Sequence, residues 1–548
     1  MGFTVFLDSK ELYFDRKIKL KDLTNSDYSV ICALVNGRVR ELDYDLHYDA
    51  TVKFLTTQDQ PAAGIYERGI RFLFAMAAQR LYPDIKFRFS YSISRSIFAH
   101  VEIGNKSITT QVVNEIYQEM KKIVDNDYIF ERLIISNEEA AKLYKEFKLY
   151  DKLAVLQYRP EKTVHLYKAD NYFNYMYGKM VPSTGYLKNF KLIFYPPGIL
   201  IQYPRSEFNG EIPPFKDEPI FQDTLEGSDA WSSLVKLSTI AEINDRAKEN
   251  QGTNLINICE NRHNRMLVEL GQKIQDKINN IKLICIAGPS SSGKTTFADR
   301  LTLELISRGI KPIRISIDDY YKTRENVPLD EDGNYDFESI DALDIELFNQ
   351  NLLSLLSGEE VNLPTFDFKT NSRIFNRLVK IGPKDPIIIE GIHALNEAMT
   401  PLIPKHIKYK IYISPQAQIN LDYENPISIT DIRLLRRIVR DSKYRNSSAE
   451  ETLSMWPSVR RGEFKWIYKT QEFADYVFDS FLNYEIGVMK KYATPLLLKI
   501  DRDSKYGPDA ERLLKLLKYF SDINEEYIPC NSILKEFIGG SCYRDVQS

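Results

Sequence analysis

The stretch Lys282-Leu-Ile-Cys-Ile-Ala-Gly-Pro-Ser-Ser-Ser-Gly-Lys-Thr-Thr296 decides how the second half of this chain is read. An apolar run stops abruptly in a glycine-bounded loop filled with serines, and a helix-type run, Phe297 to Ser307, follows. Gly288, Gly293, Lys294 and Thr295 meet the spacing G-x-x-x-x-G-K-[ST] in its proper context, between a strand and a helix. Glycine lets the backbone curl so that successive N–H groups, from Ser290, Ser291 and Ser292 to Thr295 and Thr296, point inward at phosphate oxygens. The new helix adds the positive end of its dipole. Lys294 is then placed to neutralise the outer phosphates of a nucleoside triphosphate, and the Thr295 hydroxyl to hold Mg²⁺. A plain Gly/Ser turn would not call for lysine and threonine in register.

Downstream the chain alternates between the two periodicities. A strand at Pro312-Ile-Arg-Ile-Ser-Ile, a helix near 345–356, and strands at Pro386-Ile-Ile-Ile-Glu390 and Lys410-Ile-Tyr-Ile413 follow the loop. This order predicts an α/β fold with a parallel sheet covered on both faces. Ligands in such sheets bind beyond the carboxyl ends of the strands. Two carboxylates fall at that edge, Asp318 in Ser316-Ile-Asp-Asp-Tyr-Tyr321 and Glu390 in Ile387-Ile-Ile-Glu-Gly-Ile-His-Ala394. Phosphoryl transfer needs one carboxylate to take the acceptor hydroxyl's proton and others to hold the metal. Asp318 suits the base and Glu390 the metal; either could instead cap the helix that follows.

The rest of the composition sets limits. With 548 residues, three or four domains are expected. Lys+Arg 73 against Asp+Glu 76 leaves a net charge of −3, which argues against nucleic acid as a bulk partner. Five cysteines and six histidines show neither C-x-x-C nor H-x-x-x-H spacing, so no disulfide framework or zinc knuckle is expected. The start has no basic-then-apolar leader, and no run of about eighteen apolar residues occurs, so the expected location is cytoplasmic, without a membrane partner. Homo-oligomerisation is left open.

The front half divides into a sheet-rich module, residues 1–60, and a mixed segment, 61–225, followed by a helical linker, 226–280. Ala33-Leu-Val-Asn-Gly-Arg-Val-Arg-Glu-Leu42 and Val52-Lys-Phe-Leu-Thr56 resemble the TGS domain, a β-grasp unit. Tyr177-Gly-Lys-Met-Val-Pro-Ser-Thr-Gly-Tyr-Leu-Lys-Asn-Phe-Lys-Leu192 resembles the α+β editing domain of threonyl- and alanyl-tRNA synthetases. That family builds a metal-linked site from an H-x-x-x-H pair and a later Cys and His. The matching positions here are Arg68, Phe72, Met176 and Met180, which are no ligand set for Zn²⁺. The resemblance therefore implies a retained scaffold without hydrolytic chemistry. His263 is expected as a packed or solvated helix residue.

Six motifs of the second half, in order, resemble the uridine/cytidine kinases over about 281–499. They are Gly288–Thr296, Ser316–Tyr321, Asn334–Asp344, Pro364–Arg373, Ile389–Ile392 and Arg433–Asp441. The kinase-like segment is taken as 281–525, with a tail at 526–548. The resemblance implies ATP and Mg²⁺ as cofactors, Asp318 as base, and Tyr321, Phe337, Glu338, Phe366, Asn371 and Arg373 around the acceptor. Glu338 stands in the place of a ribose-binding aspartate, and Asn371 in that of a histidine that reads the pyrimidine edge. Arg436, Arg437 and Arg440 recur at helical spacing; the resemblance makes Arg437 and Arg440 catalytic lid residues and adds Arg445 at the triphosphate. A stretch at 447–465 is longer than the lid of the simple kinases and has no assigned role. The reading reached is a kinase for the 5′-hydroxyl of a uridine- or cytidine-like nucleoside. The alternatives are a kinase for another small hydroxyl compound and an RNA- or ribosome-associated nucleotide-binding regulator.

Overall fold

Short alternating strands at the front pair into a five-stranded sheet in the order Lys10–Phe14, Phe3–Leu7, Ala50–Thr56, Val30–Val35, Arg38–Arg40. Asn36 and Gly37 make its tight turn with φ of 48° and 77°, the left-handed pair that a two-residue hairpin requires. These elements come from a computed structural model that describes residues 2–7, 10–104, 108–330, 333–367, 370–416 and 419–543. Phe368 and Lys369 of the fourth kinase-like motif, and tail residues 544–548, lie outside the described residues.

The chain forms two units. The first comprises Met1–Glu218, Val235–Glu242 and Gln418–Ile427; the second comprises Pro219–Leu234, Ile243–Ala417 and Ser428–Ser548. In the first, the helix Gln60–Leu81 opens at Pro61 and buries Ile70, Phe72, Leu73 and Phe74. It shares one apolar core with the five-stranded sheet and with an antiparallel sheet ordered Lys191–Tyr195, Gly198–Gln202, Ser96–Ile103, Ile85–Ile93. The four positions aligned with metal ligands are taken up by packing. Arg68 donates from Nε to the Lys179 carbonyl at 2.9 Å, and the Phe72 ring meets Phe130 and Tyr172 edge-on, each at 4.9 Å. Met176 and Met180 are buried.

Residues 419–427 complete this first unit although they lie far along the sequence. Asn420 donates to the Phe89 carbonyl at 2.7 Å, Arg71 to that of Glu424 at 2.6 Å, and Asn425 to that of Tyr175 at 3.0 Å. Burial by itself would discharge Lys152, but Asp422 and Glu424, each 3.3 Å from its ammonium, outweigh it and raise its pKa.

The second unit is built on β1 (Leu283–Ala287), α1 (Lys294–Ser307), β2 (Ile313–Ser316), α2 (Ile345–Leu356), the hairpin β3 (Val361–Asp367) and β4 (Ser372–Val379), β5 (Ile387–Glu390), β6 (Lys408–Ser414), α3 (Ile429–Tyr444), α4 (Ala449–Gly462) and β7 (Tyr476–Asp479). Its main sheet runs β2-β5-β1-β6-β7, and every pairing is parallel. β1 and β5 are buried throughout, as their unbroken apolar runs require of strands covered on both faces. His263 packs in the helix Thr253–Asp276, fully buried, with Nε2 at 3.2 Å from the Phe481 carbonyl. Among the described residues no helix is long and apolar enough to cross a membrane.

Candidate active site

The turn after β1 is shaped by close approach. A Cβ on Gly288 would strike the Ile413 carbonyl oxygen of β6, and Gly293 enters α1 at φ 88°, so both positions demand glycine. Ser291 also takes a left-handed φ, of 59°. Lys294, the first residue of α1, folds over the loop and donates from Nζ to the carbonyls of Gly288 and Pro289 at 3.0 and 3.2 Å. Burial lowers its pKa, while Glu390, Asp318 and Glu536 act to hold its charge. Thr295 and Thr296 follow in the first turn of α1, and the hydroxyls of Ser291, Ser292 and Thr296 are buried without a hydrogen-bond partner.

The α3 arginines divide their work in a way that spacing alone does not show. Arg433 donates from Nε and Nη2 to the Ser290 carbonyl at 3.0 and 2.9 Å, and pairs with Glu463. Arg436 is fully buried in a two-pronged pair with Glu485 and reaches the Ser291 carbonyl at 3.3 Å. These two hold the loop's backbone in shape. Arg437 instead donates to the Ser290 hydroxyl at 2.7 Å. It shares the Asp441 carboxylate with Arg440 and Arg445, at 3.2, 2.8 and 3.7 Å. Three guanidiniums round one carboxylate leave an excess of positive charge, and Arg440 beside it, with burial, depresses Arg445 to about 10. Such a cluster suits an anion with several charges.

The parallel register sets Ser316 beside Glu390 at the ends of β2 and β5. The Ser316 hydroxyl donates to Glu390 at 2.9 Å. Asp318 follows in the turn after β2, and burial, reinforced by the Glu390 charge, pushes its carboxyl up to about 6 against the pull of Lys294 and Arg445. Two carboxylates that repel one another in front of a lysine suit a divalent cation, which Thr295 and Glu390 could share through water. The described residues hold no cluster of three His, Cys, Asp or Glu, and Mg²⁺ bound beside phosphates does not need one.

The aromatic wall also assembles. Tyr321 meets Phe337 and Phe366 with ring centroids 6.1 and 6.0 Å apart and donates from its hydroxyl to the Phe337 carbonyl at 3.0 Å. Phe366 stands opposite Arg373 in the β3–β4 hairpin, and its N–H donates to Asp319 at 3.1 Å. Arg373 is paired with Asp344 at 2.8 Å, while Asp344 also caps α2. Asn371 turns the hairpin at φ 52°, a conformation asparagine tolerates better than most side chains, so its place at the tip has a backbone reason.

Beside Glu338, three residues that the sequence reading gave no role, Glu463, His393 and Trp466, help to shape this site. Glu338 has an Oε2 that is buried and unpartnered; burial and Glu463 push its carboxyl up to about 7, opposed by Arg437 and Lys294. A Cβ on Gly462, the last residue of α4, would run into it. The 447–465 stretch thus walls the Glu338 side of the site, with Glu463 tying Arg433 and Arg460, and just beyond it Trp466 meets His393 edge-on at 5.8 Å. His393, neutral because burial lowers it to about 4, sits 2.9 Å from the Glu338 carbonyl. Glu463, His393 and Trp466 act through shape and position; the length of the stretch was a signal for Glu463 alone, and His393 stood in the motif around Glu390 without a role.

Comparison with known proteins identifies the family of the second half. The phosphoribulokinase/uridine kinase family model matches residues 283–487. A uridine kinase of Chloroflexus aurantiacus is 30% identical over 197 residues, 36% of this chain and 85% of that protein. One of Staphylococcus haemolyticus is 32% identical over 200 residues, 36% of this chain and 87% of that protein. The front half is similar to a threonine–tRNA ligase of Acetivibrio thermocellus, 32% identical over 160 residues, 29% of this chain. The chain spans only 25% of that ligase's length. With most of two uridine kinases covered at 30% identity or more, the chain belongs to the phosphoribulokinase/uridine kinase family of phosphotransferases with alcohol acceptors.

Proposed function

We propose that the second unit is an ATP- and Mg²⁺-dependent kinase that phosphorylates the 5′-hydroxyl of a uridine- or cytidine-like nucleoside. The observation that carries this reading is the place of Asp318, in the turn directly after β2 whose last residue, Ser316, pairs with Glu390, where burial and the Glu390 charge raise its carboxyl to about 6 against the pull of Lys294. A carboxylate with that pKa is ionised at neutral pH and basic enough to accept a hydroxyl proton as the bond to phosphorus forms. Lys294 and the Arg437–Arg440–Arg445 cluster neutralise the phosphate oxygens, and Arg437 ties that cluster to the loop through Ser290. Mg²⁺, when bound, would offset charge on the outer phosphates from Thr295 and Glu390. Tyr321, Phe337 and Phe366 supply an apolar wall for a flat base. Glu338, near half protonation at neutral pH, can both donate to and accept from ribose hydroxyls. A second reading, another small hydroxyl acceptor, draws on Asn371, whose turn conformation gives it a role without any base to read.

The test is to supply ATP, Mg²⁺ and a panel of nucleosides, sugar phosphates and pantothenate, and to locate the new phosphate by phosphorus NMR. The expected product is a pyrimidine nucleoside 5′-monophosphate. Turnover of only the non-nucleoside acceptors would replace this reading by the second.

A further inference from the structure

The family match ends at residue 487, yet the chain beyond it returns to the phosphate loop. Ile533, Leu534, Phe537 and Ile538 are buried. Ile533 packs on Gly293 so closely that a Cβ there would collide with it. Lys443 of α3 donates to the Ile538 carbonyl at 2.6 Å, and the Arg436 guanidinium lies 5.0 Å from the Phe537 ring centre. The hydroxyls of Tyr484 and Ser532 both donate to Glu260, at 2.6 Å. From this anchored segment Glu536, 6% exposed, reaches the first turn of α1, where its Oε2 accepts the Thr296 N–H at 3.1 Å. In a phosphate-binding loop the first-turn N–H groups are donors to phosphate oxygens.

We propose that Glu536 is a built-in competitor for the donor's phosphate: its carboxylate occupies the Thr296 N–H, must turn away when a nucleotide binds, and thereby sets the affinity for the donor. The inference rests on reading the loop as the nucleotide site. One N–H cannot serve a carboxylate and a phosphate oxygen at full strength, and two anions at one helix start repel. The apolar anchors keep the segment in place, so the movement is confined to the Glu536 side chain. The residue is thus a determinant of donor affinity supplied by a part of the chain that the family match does not include.

The test uses the full chain. ATP binding is titrated calorimetrically for the wild type, Glu536→Gln and Glu536→Ala, each with and without Lys294→Ala, with thermal melting to establish that every form is folded. If the carboxylate holds the N–H about nine-tenths of the time, removing its charge tightens ATP binding about tenfold. The KM for ATP falls by the same factor while the KM for the acceptor stays where it was. ATP binding that still requires Lys294 but is unchanged or weaker in both Glu536 variants overturns the inference alone. Binding that ignores Lys294, or is absent in all forms, overturns the donor reading and the inference with it.

Discussion

The two units each bury a cluster of ionisable groups, and the clusters differ in what surrounds them. In the first, Lys152 lies against Asp422 and Glu424, and Arg68 rests on the Lys179 carbonyl. Phe72, Met176 and Met180 fill the space where the editing resemblance calls for metal ligands. In the second, Asp318 and Glu390 oppose one another, Glu338 has an unpartnered oxygen, three arginines crowd Asp441, and the hydroxyls of Ser291, Ser292 and Thr296 lack partners. A buried cation set between carboxylates of its own unit serves the fold; hydroxyls and a carboxylate oxygen buried without partners are candidates for a ligand.

The comparison breaks first at Asp318. Asp318→Asn should lower kcat by about 10²–10⁴-fold, the usual range for a general base, without loss of thermal stability. Lys152→Met tests the other side: it strands two buried carboxylates, and urea unfolding should show a loss of about 3–5 kcal/mol in the first unit's transition. A small change there would mean that Lys152 does not hold these carboxylates in the fold. The pH profile sharpens the contrast. Since Asp318 must be ionised and is raised to about 6, kcat/KM should hold above that pH and fall about tenfold per unit below it. Because the Glu390 charge contributes to that rise, Glu390→Gln should move the midpoint of whatever activity remains toward acid. The smallest effect is expected at Asn371. If it serves the turn, Asn371→Gly, which keeps φ near 52° accessible, should change kcat/KM for uridine by less than about threefold, whereas a base-reading asparagine would cost more.

Much of this was legible in the sequence, and the reason is local. The phosphate loop, Asp318 and Glu390 each sit at the end of an apolar run whose period fixes a strand, so their common edge follows from alternation alone. The helix predicted near 345–356 is α2, and the arginines expected at helical spacing lie on the helix α3. What the sequence could not show depends on distant pairings. Residues 419–427 carry no signal that they complete the first unit, and Glu536 lies 240 positions from the Thr296 N–H that it accepts. Arg433 and Arg436 share the spacing of Arg437 and Arg440, and only their partners, Glu463 and Glu485, mark them as supports of the loop. Glu463 closes the same network from the 447–465 stretch, which had length but no motif.

The central claim is that the chemistry resides at Asp318, and acceptor-dependent ADP release measures it most directly. With the full chain, ATP and Mg²⁺, uridine or cytidine should accelerate ADP release well above the rate without acceptor. Asp318→Asn should abolish the acceleration while leaving the Kd for ATP within about threefold. Equal acceleration in Asp318→Asn, or none with any nucleoside in the wild type, would contradict the account.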